Sequence, residues 1–310
     1  MDVLIYDTTL RDGAQGEGLS FSLDDKLKIV EKLDYLGIAY IEGGWPGSNP
    51  KDLEFFSQVR NLDLKHARIT AFGSTRKPGI GVKQDANLQA LQQAGVATVT
   101  IFGKTWDFHI LRAFETTLEE NLNMIRESIS YLKEQGMEVF FDAEHFFDGY
   151  KNNADYALQV LQAAAEAGAG YLVLCDTNGG TLPWEIEEII KEVQKYSRVP
   201  LGIHAHNDSA SAVGNSLIAV KEGCSQVQGT INGYGERCGN ADLCSIIPNL
   251  ELKMDKRVLP PGYLKRLAEV SHYISEIANM PHHNNQPFVG YGAFAHKGGI
   301  HVNALLKDSL

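Results

Sequence analysis

Gly202-Ile203-His204-Ala205-His206-Asn207-Asp208 reads as the end of a β-strand running into a turn. Side chains alternate along a strand, so His204 and His206 share one face and Ala205 takes the other. Two neutral imidazoles on one face suit a divalent metal, and a catalytic site commonly adds a third protein ligand while leaving positions open. What surrounds this stretch decides both the fold and the third ligand.

Outward in both directions, β-rich runs alternate with longer helical patterns. Pro183–Tyr196 precedes it as a helix and Ala212–Glu222 follows it, stopped by Gly223. Strands are expected at Val3–Thr9, Ala39–Trp45, Ala67–Phe72, Thr98–Phe102, Glu138–Asp142, Tyr171–Cys175, Pro200–His206 and Gln226–Ile231. Helices follow them, the first opened by Leu23-Asp24 and closed by Gly37, the last running Ala241–Leu252. Eight successive βα units predict a (β/α)8 TIM barrel over residues 1–253. Residues 254–310 form a small C-terminal appendage: one amphipathic helix, Tyr263–Ala278, then an irregular stretch rich in His, Asn and Gly. The sequence stops in what reads as the start of another helix, so a continuation is expected.

Such barrels carry their chemistry at the C-terminal ends of the strands. Polar residues collect there: Arg11 and Asp12 after the first strand, Glu42 on the second, Lys104 and His109 after the fourth, Glu144 after the fifth, Thr177 after the sixth. Closure brings the first strand beside the eighth, which makes Asp12 the best third ligand. Asn240 is placed to add an amide oxygen or to bind a metal-bound water. Arg11, a planar fork that keeps its charge, suits an anionic oxygen; its bland alternative is a salt bridge to Glu42 or Glu144. Glu144 is a candidate acid or base and Thr177 a donor to a carboxylate, with helix capping as the bland alternative for Thr177. The glycine-dense run Gly229–Asn240 lacks a dinucleotide fingerprint and fits close approach of a ligand to backbone.

A net charge of −11 argues against nucleic acid or an anionic membrane as partner, and no apolar run approaches the roughly 20 residues of a membrane helix. Four cysteines without a C-x-x-C pair read as reduced thiols, and the cytoplasm is the expected compartment.

Three motifs, Asp7-Thr8-Thr9-Leu10-Arg11-Asp12-Gly13-Ala14-Gln15, His204-Ala205-His206-Asn207-Asp208 and Asn232-Gly233-Tyr234-Gly235-Glu236-Arg237-Cys238-Gly239-Asn240, give the chain a family resemblance. It resembles the Claisen-condensing acyltransferases that include 2-isopropylmalate, homocitrate and citramalate synthases, relatives of 3-hydroxy-3-methylglutaryl-CoA lyase. The resemblance implies a divalent metal (zinc, manganese or magnesium) on Asp12, His204 and His206 with Asn240 nearby. It places Arg11, Glu144 and Thr177 around a 2-oxo acid, with His109 and Asn232 as further substrate contacts and acetyl-CoA as co-substrate. His301, in Ala295-His296-Lys297-Gly298-Gly299-Ile300-His301, is similar to a catalytic histidine that crosses into the neighbouring subunit of a homodimer. A C-terminal regulatory domain usually follows in the family. Gly43-Gly44-Trp45-Pro46-Gly47-Ser48-Asn49-Pro50 and Phe140-Phe141-Asp142-Ala143-Glu144-His145 look most like the citramalate synthase branch, which condenses pyruvate with acetyl-CoA on the way to isoleucine. Rival classes are the same condensation on 2-oxoisovalerate, on the way to leucine, carbon–carbon cleavage, metal-dependent hydrolysis, and a non-enzymatic binding module. For hydrolysis the metal pair lies late in the chain.

Overall fold

Eight parallel strands close on themselves in chain order, β1 Leu4–Asp7, β2 Tyr40–Gly44, β3 Arg68–Ser74, β4 Thr98–Lys104, β5 Glu138–Glu144, β6 Tyr171–Asp176, β7 Leu201–Ala205 and β8 Gln226–Gly229. The computed structural model describes residues 2–298 and position 307. Closure comes from β1 pairing β8 in register, Leu4 with Gln226 through Asp7 with Gly229. The (β/α)8 barrel expected from the alternation is therefore the fold.

Capping chemistry sets where the helices begin and end. Helix α1, Leu23–Leu36, is entered by a Ser22–Asp25 capping box and left through Gly37 at φ 91°, a left-handed conformation that glycine adopts without steric cost. The N-cap is thus Ser22, one residue before the expected Leu23-Asp24, because Ser22 Oγ reaches the Asp25 amide. Helices α2 Pro50–Val59, α3 Ala86–Ala94, α5 Leu118–Glu134, α7 Ala154–Glu166, α8 Pro183–Tyr196, α9 Ala212–Lys221 and α10 Leu243–Lys253 follow their strands in the expected alternation, and α8, α9 and α10 lie within two residues of their expected ends. Two short helices fall outside the expected alternation, α4 Asp107–Arg112 and α6 Phe146–Asn152. Both sit in βα loops at the barrel mouth, where they are too short for a period to be read. The expected Tyr263–Ala278 helix begins as a 3-10 turn, Leu264–Arg266, and becomes α11 at Leu267–Ile277. Helix α11 packs on α1 and α10, and Ser271 and Asn232 exchange hydrogen bonds at the end of β8.

Two layers fill the barrel lumen. Near the N-terminal ends of the strands, the rings of Tyr6, Tyr40 and Phe140 pack with centroids 5.2 to 6.2 Å apart. Above them the Tyr6 hydroxyl donates to Glu42 Oε2 at 2.6 Å and lies 2.8 and 2.7 Å from the hydroxyls of Thr70 and Thr100. Buried polar groups are costly unless partnered, and this hub satisfies four of them at once. It forms the floor on which the mouth of the barrel stands.

Candidate active site

Asp12 reaches the site because the end of β1 is stitched to the end of β8. The Asp7 carboxylate accepts from the Thr9 amide and hydroxyl, Thr9 Oγ1 accepts from the Ile231 amide, and the Thr8 amide donates to the Gly229 carbonyl. The chain then turns through Thr8–Gly13 and presents Asp12, 3% exposed, to the end of β7. There Asp12 Oδ2 lies 3.1 Å from His204 Nε2 and 3.7 Å from His206 Nε2, and the two imidazole nitrogens are 3.3 Å apart. His206 lies just past β7, in an antiparallel bridge with Asn240, and still faces the same way as His204. Among the described residues these three form the one such group of ligand atoms close enough to share a metal ion.

The donor set fits a divalent ion. His204 Nδ1 lies 2.9 Å from Gln228 Oε1, which can only accept, so Nδ1 carries a proton and Nε2, which faces Asp12, is the nitrogen that would offer its lone pair to an ion. Burial, with the neighbouring His204, holds the His206 imidazole down at about 4, so it is neutral and ready to ligate near pH 7. Burial also acts to lower His204, but its bond and charge contact with Asp12 prevail and raise it. Asp12 is held well below the usual carboxylate range: burial opposes this, and Arg11 and the two histidines outweigh it. Asn240 Oδ1 is buried with no hydrogen-bond partner among the described residues, and its Nδ2 is taken by the Tyr234 carbonyl at 3.1 Å. An orphaned amide oxygen beside this cluster is what a further ligand, or an acceptor for metal-bound water, requires.

The cluster forms one side of a cavity of about 230 Å³ that also contains Arg11, Glu144 and Thr177. Arg11 Nε donates to the fully buried Glu42 at 2.5 Å and the guanidinium lies 3.7 Å over the Phe72 ring. One terminal nitrogen is 3.7 Å from Asp12, so the fork faces the cluster while its root is anchored. Of the two bland partners for Arg11, Glu42 is the real one; Glu144 instead pairs with Lys104. Thr177 Oγ1 accepts from the His145 amide at 2.8 Å, which frees its own proton for a ligand.

Comparison with known proteins gives the chain a family. The sequence pattern that defines the HMGL-like family matches residues 2–274. The chain belongs to the HMGL-like family. It is 59% identical over 308 residues to the (R)-citramalate synthase of Aquifex aeolicus, which covers 99% of this chain and 58% of that protein. It is 33% identical to the 2-isopropylmalate synthase of Sulfolobus acidocaldarius, covering 99% of this chain and 77% of that protein. The chain thus spans little more than half the length of the citramalate synthases it matches. Among solved structures, the HMG-CoA lyase of Bacillus subtilis superposes with a TM-score of 0.76 at 19% identity, over 90% of this chain and 95% of that one, a likeness of fold.

Not every expected residue of this HMGL-like chain reaches the cavity. His109 lies on α4 with its ring 4.5 Å from His145 and 4.8 Å from Trp106, in an aromatic cluster outside the cavity wall. Asn232, at φ 62°, accepts from Ser271 and donates to the Ser271 carbonyl, so it ties α11 to the barrel and lines a separate cleft. His301 lies outside the described residues.

Reading along the sequence missed Gln228. Its amide bridges His204 to Asp142, donating to Asp142 Oδ1 at 3.0 Å. The signal was there: Gln228 puts an amide on a buried strand inside a barrel, where a polar group is costly unless it is partnered. Gln228→Leu is expected to weaken metal binding about 10- to 100-fold while leaving the three ligands in place, as loss of a ligand-orienting partner does. Competition with a chromogenic chelator measures it; unchanged affinity would show that His204 needs no orienter.

Asp142 itself is pushed up to about 7, first by burial and then by Glu42. A carboxyl raised above its unfolded value contributes fully at low pH and costs stability as pH rises from about 4 to 7. Asp142→Asn keeps the acceptor for Gln228 and removes the ionisation. Metal-free Asp142→Asn is therefore expected to match the parent near pH 4 and to exceed it by a few kcal/mol at pH 8, since each pH unit separating the folded and unfolded titrations is worth roughly 1.4 kcal/mol. Urea unfolding at the two pH values tests this; a gap independent of pH would refute it.

Proposed function

We propose that the protein is an acyltransferase that condenses acetyl-CoA with a 2-oxo acid and hydrolyses the thioester, with pyruvate as acceptor and (R)-citramalate as product. One observation carries the reading: Arg11 and the Asp12–His204–His206 cluster face one small cavity, in a chain far closer to a citramalate synthase, at 59% identity, than to a 2-isopropylmalate synthase, at 33%. A divalent ion held by Asp12, His204 and His206, with Asn240 beside it, would supply Lewis acidity toward the acceptor's ketone.

The chain's own residues do the rest. Arg11 holds the acceptor's anionic oxygens and, with its charge fixed, favours the oxygen that becomes an alkoxide as the new carbon–carbon bond forms. Thr177 donates its free proton to the carboxylate and so fixes the acceptor's orientation. Glu144, ion-paired to Lys104 at the cavity edge, or His301 of a neighbouring subunit in a homodimer, takes the methyl proton from acetyl-CoA. Water then cleaves the thioester and releases CoA. The free thiols Cys175, Cys224, Cys238 and Cys244 support a reducing compartment, the cytoplasm.

CoA release from acetyl-CoA with pyruvate, 2-oxobutanoate, 2-oxoisovalerate and 2-oxoglutarate tests the proposal. The highest kcat/KM is expected with pyruvate. Release with none of them would remove the synthase reading, and a preference for 2-oxoisovalerate would replace the acceptor.

A further inference from the structure

We propose that Asn87, which lies outside the cavity, is a positioning residue that sets the size of acceptor the cavity admits by locking the indole of Trp45 as one of its walls. The inference rests on the reading above that the cavity takes a 2-oxo acid.

Trp45, Phe72 and Phe102 make up the aromatic part of the cavity lining, which also includes the metal-ligand cluster. Phe72 and Phe102 stack with centroids 5.5 Å apart, and the indole stands edge-on to both at 5.5 and 5.6 Å. Arg11 lies over Phe72, so the apolar wall begins where the anion-holding fork ends. An acceptor whose oxygens face Arg11 and the cluster therefore turns its alkyl substituent toward this aromatic corner.

Both halves of Trp45 are fixed. The β2–β3 register shifts between Glu42 and Gly44, a bulge of the kind that re-aims a side chain beside a site. Gly44, at φ 149°, leaves its Cβ space to the Asp52 carboxylate, which accepts from the Trp45 amide at 2.8 Å and is paired with Lys26 at 2.6 Å. The indole Nε1 donates to Asn87 Oδ1 at 2.7 Å, and Asn87 Nδ2 donates to the Ser74 carbonyl at 2.7 Å. Both ends of the Asn87 amide are thus committed, and an amide flip would break two bonds. Glycines flank the lock on both sides: a Cβ on Gly47 would stand 3.1 Å from Asn87 Oδ1, and one on Gly73 would stand 2.9 Å from it. The backbone leaves room there for an amide to reach an indole.

A rigid wall discriminates where a soft one repacks. An extra methylene pressed against a fixed aromatic edge costs more than one that an indole accommodates by turning. The lock thus limits how large a substituent the aromatic corner admits.

The test is calorimetric titration of metal-loaded full-length protein with pyruvate, 2-oxobutanoate and 2-oxoisovalerate, alongside CoA release. Trp45→Phe is expected to raise the affinity for 2-oxobutanoate relative to pyruvate by about tenfold, the scale of one methylene. Asn87→Ala is expected to move the ratio the same way by a smaller factor, and Asn87→Ala/Trp45→Phe to match Trp45→Phe alone. A merely structural Asn87 would weaken all three acids together, leave the ratio unmoved and overturn the proposal. So would an Asn87→Ala shift that adds in full to that of Trp45→Phe. If the acids bind with the expected ratios and none supports CoA release, the condensation reading fails and the lock stands.

Discussion

His204→Ala is expected to abolish both metal binding and turnover. The variant removes one of three ligands and the group that Gln228 orients, so the remaining pair, Asp12 and His206, has no facial geometry. Turnover should fall by at least about 10³-fold, the order seen when a main source of electrostatic stabilisation is removed. Stability provides a reading independent of activity. At metal 100-fold above its Kd, the parent should gain about 2.7 kcal/mol over its metal-free form, and the variant none. Metal content by emission spectroscopy and thermal unfolding with and without chelator decide the matter. A variant that keeps stoichiometric metal and full turnover would mean that the cluster is a buried hydrogen-bonded set and the reaction runs elsewhere.

Arg11→Ala should cost twice, in rate and in stability, for different reasons. Glu42 is fully buried, and with Arg11 gone its remaining side-chain hydrogen bond among the described residues is the one from the Tyr6 hydroxyl. An uncompensated buried carboxylate costs about 3 to 5 kcal/mol. The rate should fall about 10²- to 10³-fold through loss of the charge that faces the reacting oxygens. The two losses separate in Arg11→Ala/Glu42→Gln, where the amide still accepts from Tyr6 and carries no charge. That double variant should regain most of the stability and none of the rate. Recovery of turnover together with stability would show that Arg11 only neutralises Glu42.

The barrel was legible because each of its units carries local punctuation. Gly37 and Gly95 end α1 and α3 in left-handed turns, and Asp85, Thr117 and Asn153 cap α3, α5 and α7 with their side chains. These signals act within four residues, which is the range a sequence displays directly. The metal-ligand candidates were legible for a related reason: His204 and His206 sit two apart on a strand, and the barrel rule supplies Asp12. What was not legible depends on contacts between elements far apart in the sequence. That Arg11 anchors on Glu42 and Glu144 on Lys104 follows from which neighbouring strand ends meet, that Gln228 links His204 to Asp142 from a contact across the lumen, and that Asn232 turns toward Ser271 from the packing of α11 on the barrel. The short helix α6 escaped because its seven residues hold too few turns for a period to show, and it is entered through His145 at a left-handed φ of 55°.

The seam between β1 and β8 has a bearing on assembly of the protein. Asp12 comes from the turn after the first strand and both histidines from the end of the seventh, and they meet through the β1–β8 ladder and the bonds that join the Thr8–Thr9 turn to Gly229 and Ile231. No contiguous fragment short of nearly the whole barrel contains a complete ion site. Ion capture is therefore coupled to ring closure, the contact of greatest sequence separation and the one whose loop entropy is hardest to recover. During synthesis the aspartate waits, unliganded, until the seventh and eighth strands have emerged. An ion bound there would tie the turn after the first strand to the end of the seventh, and so slow opening of the finished ring beside the seam.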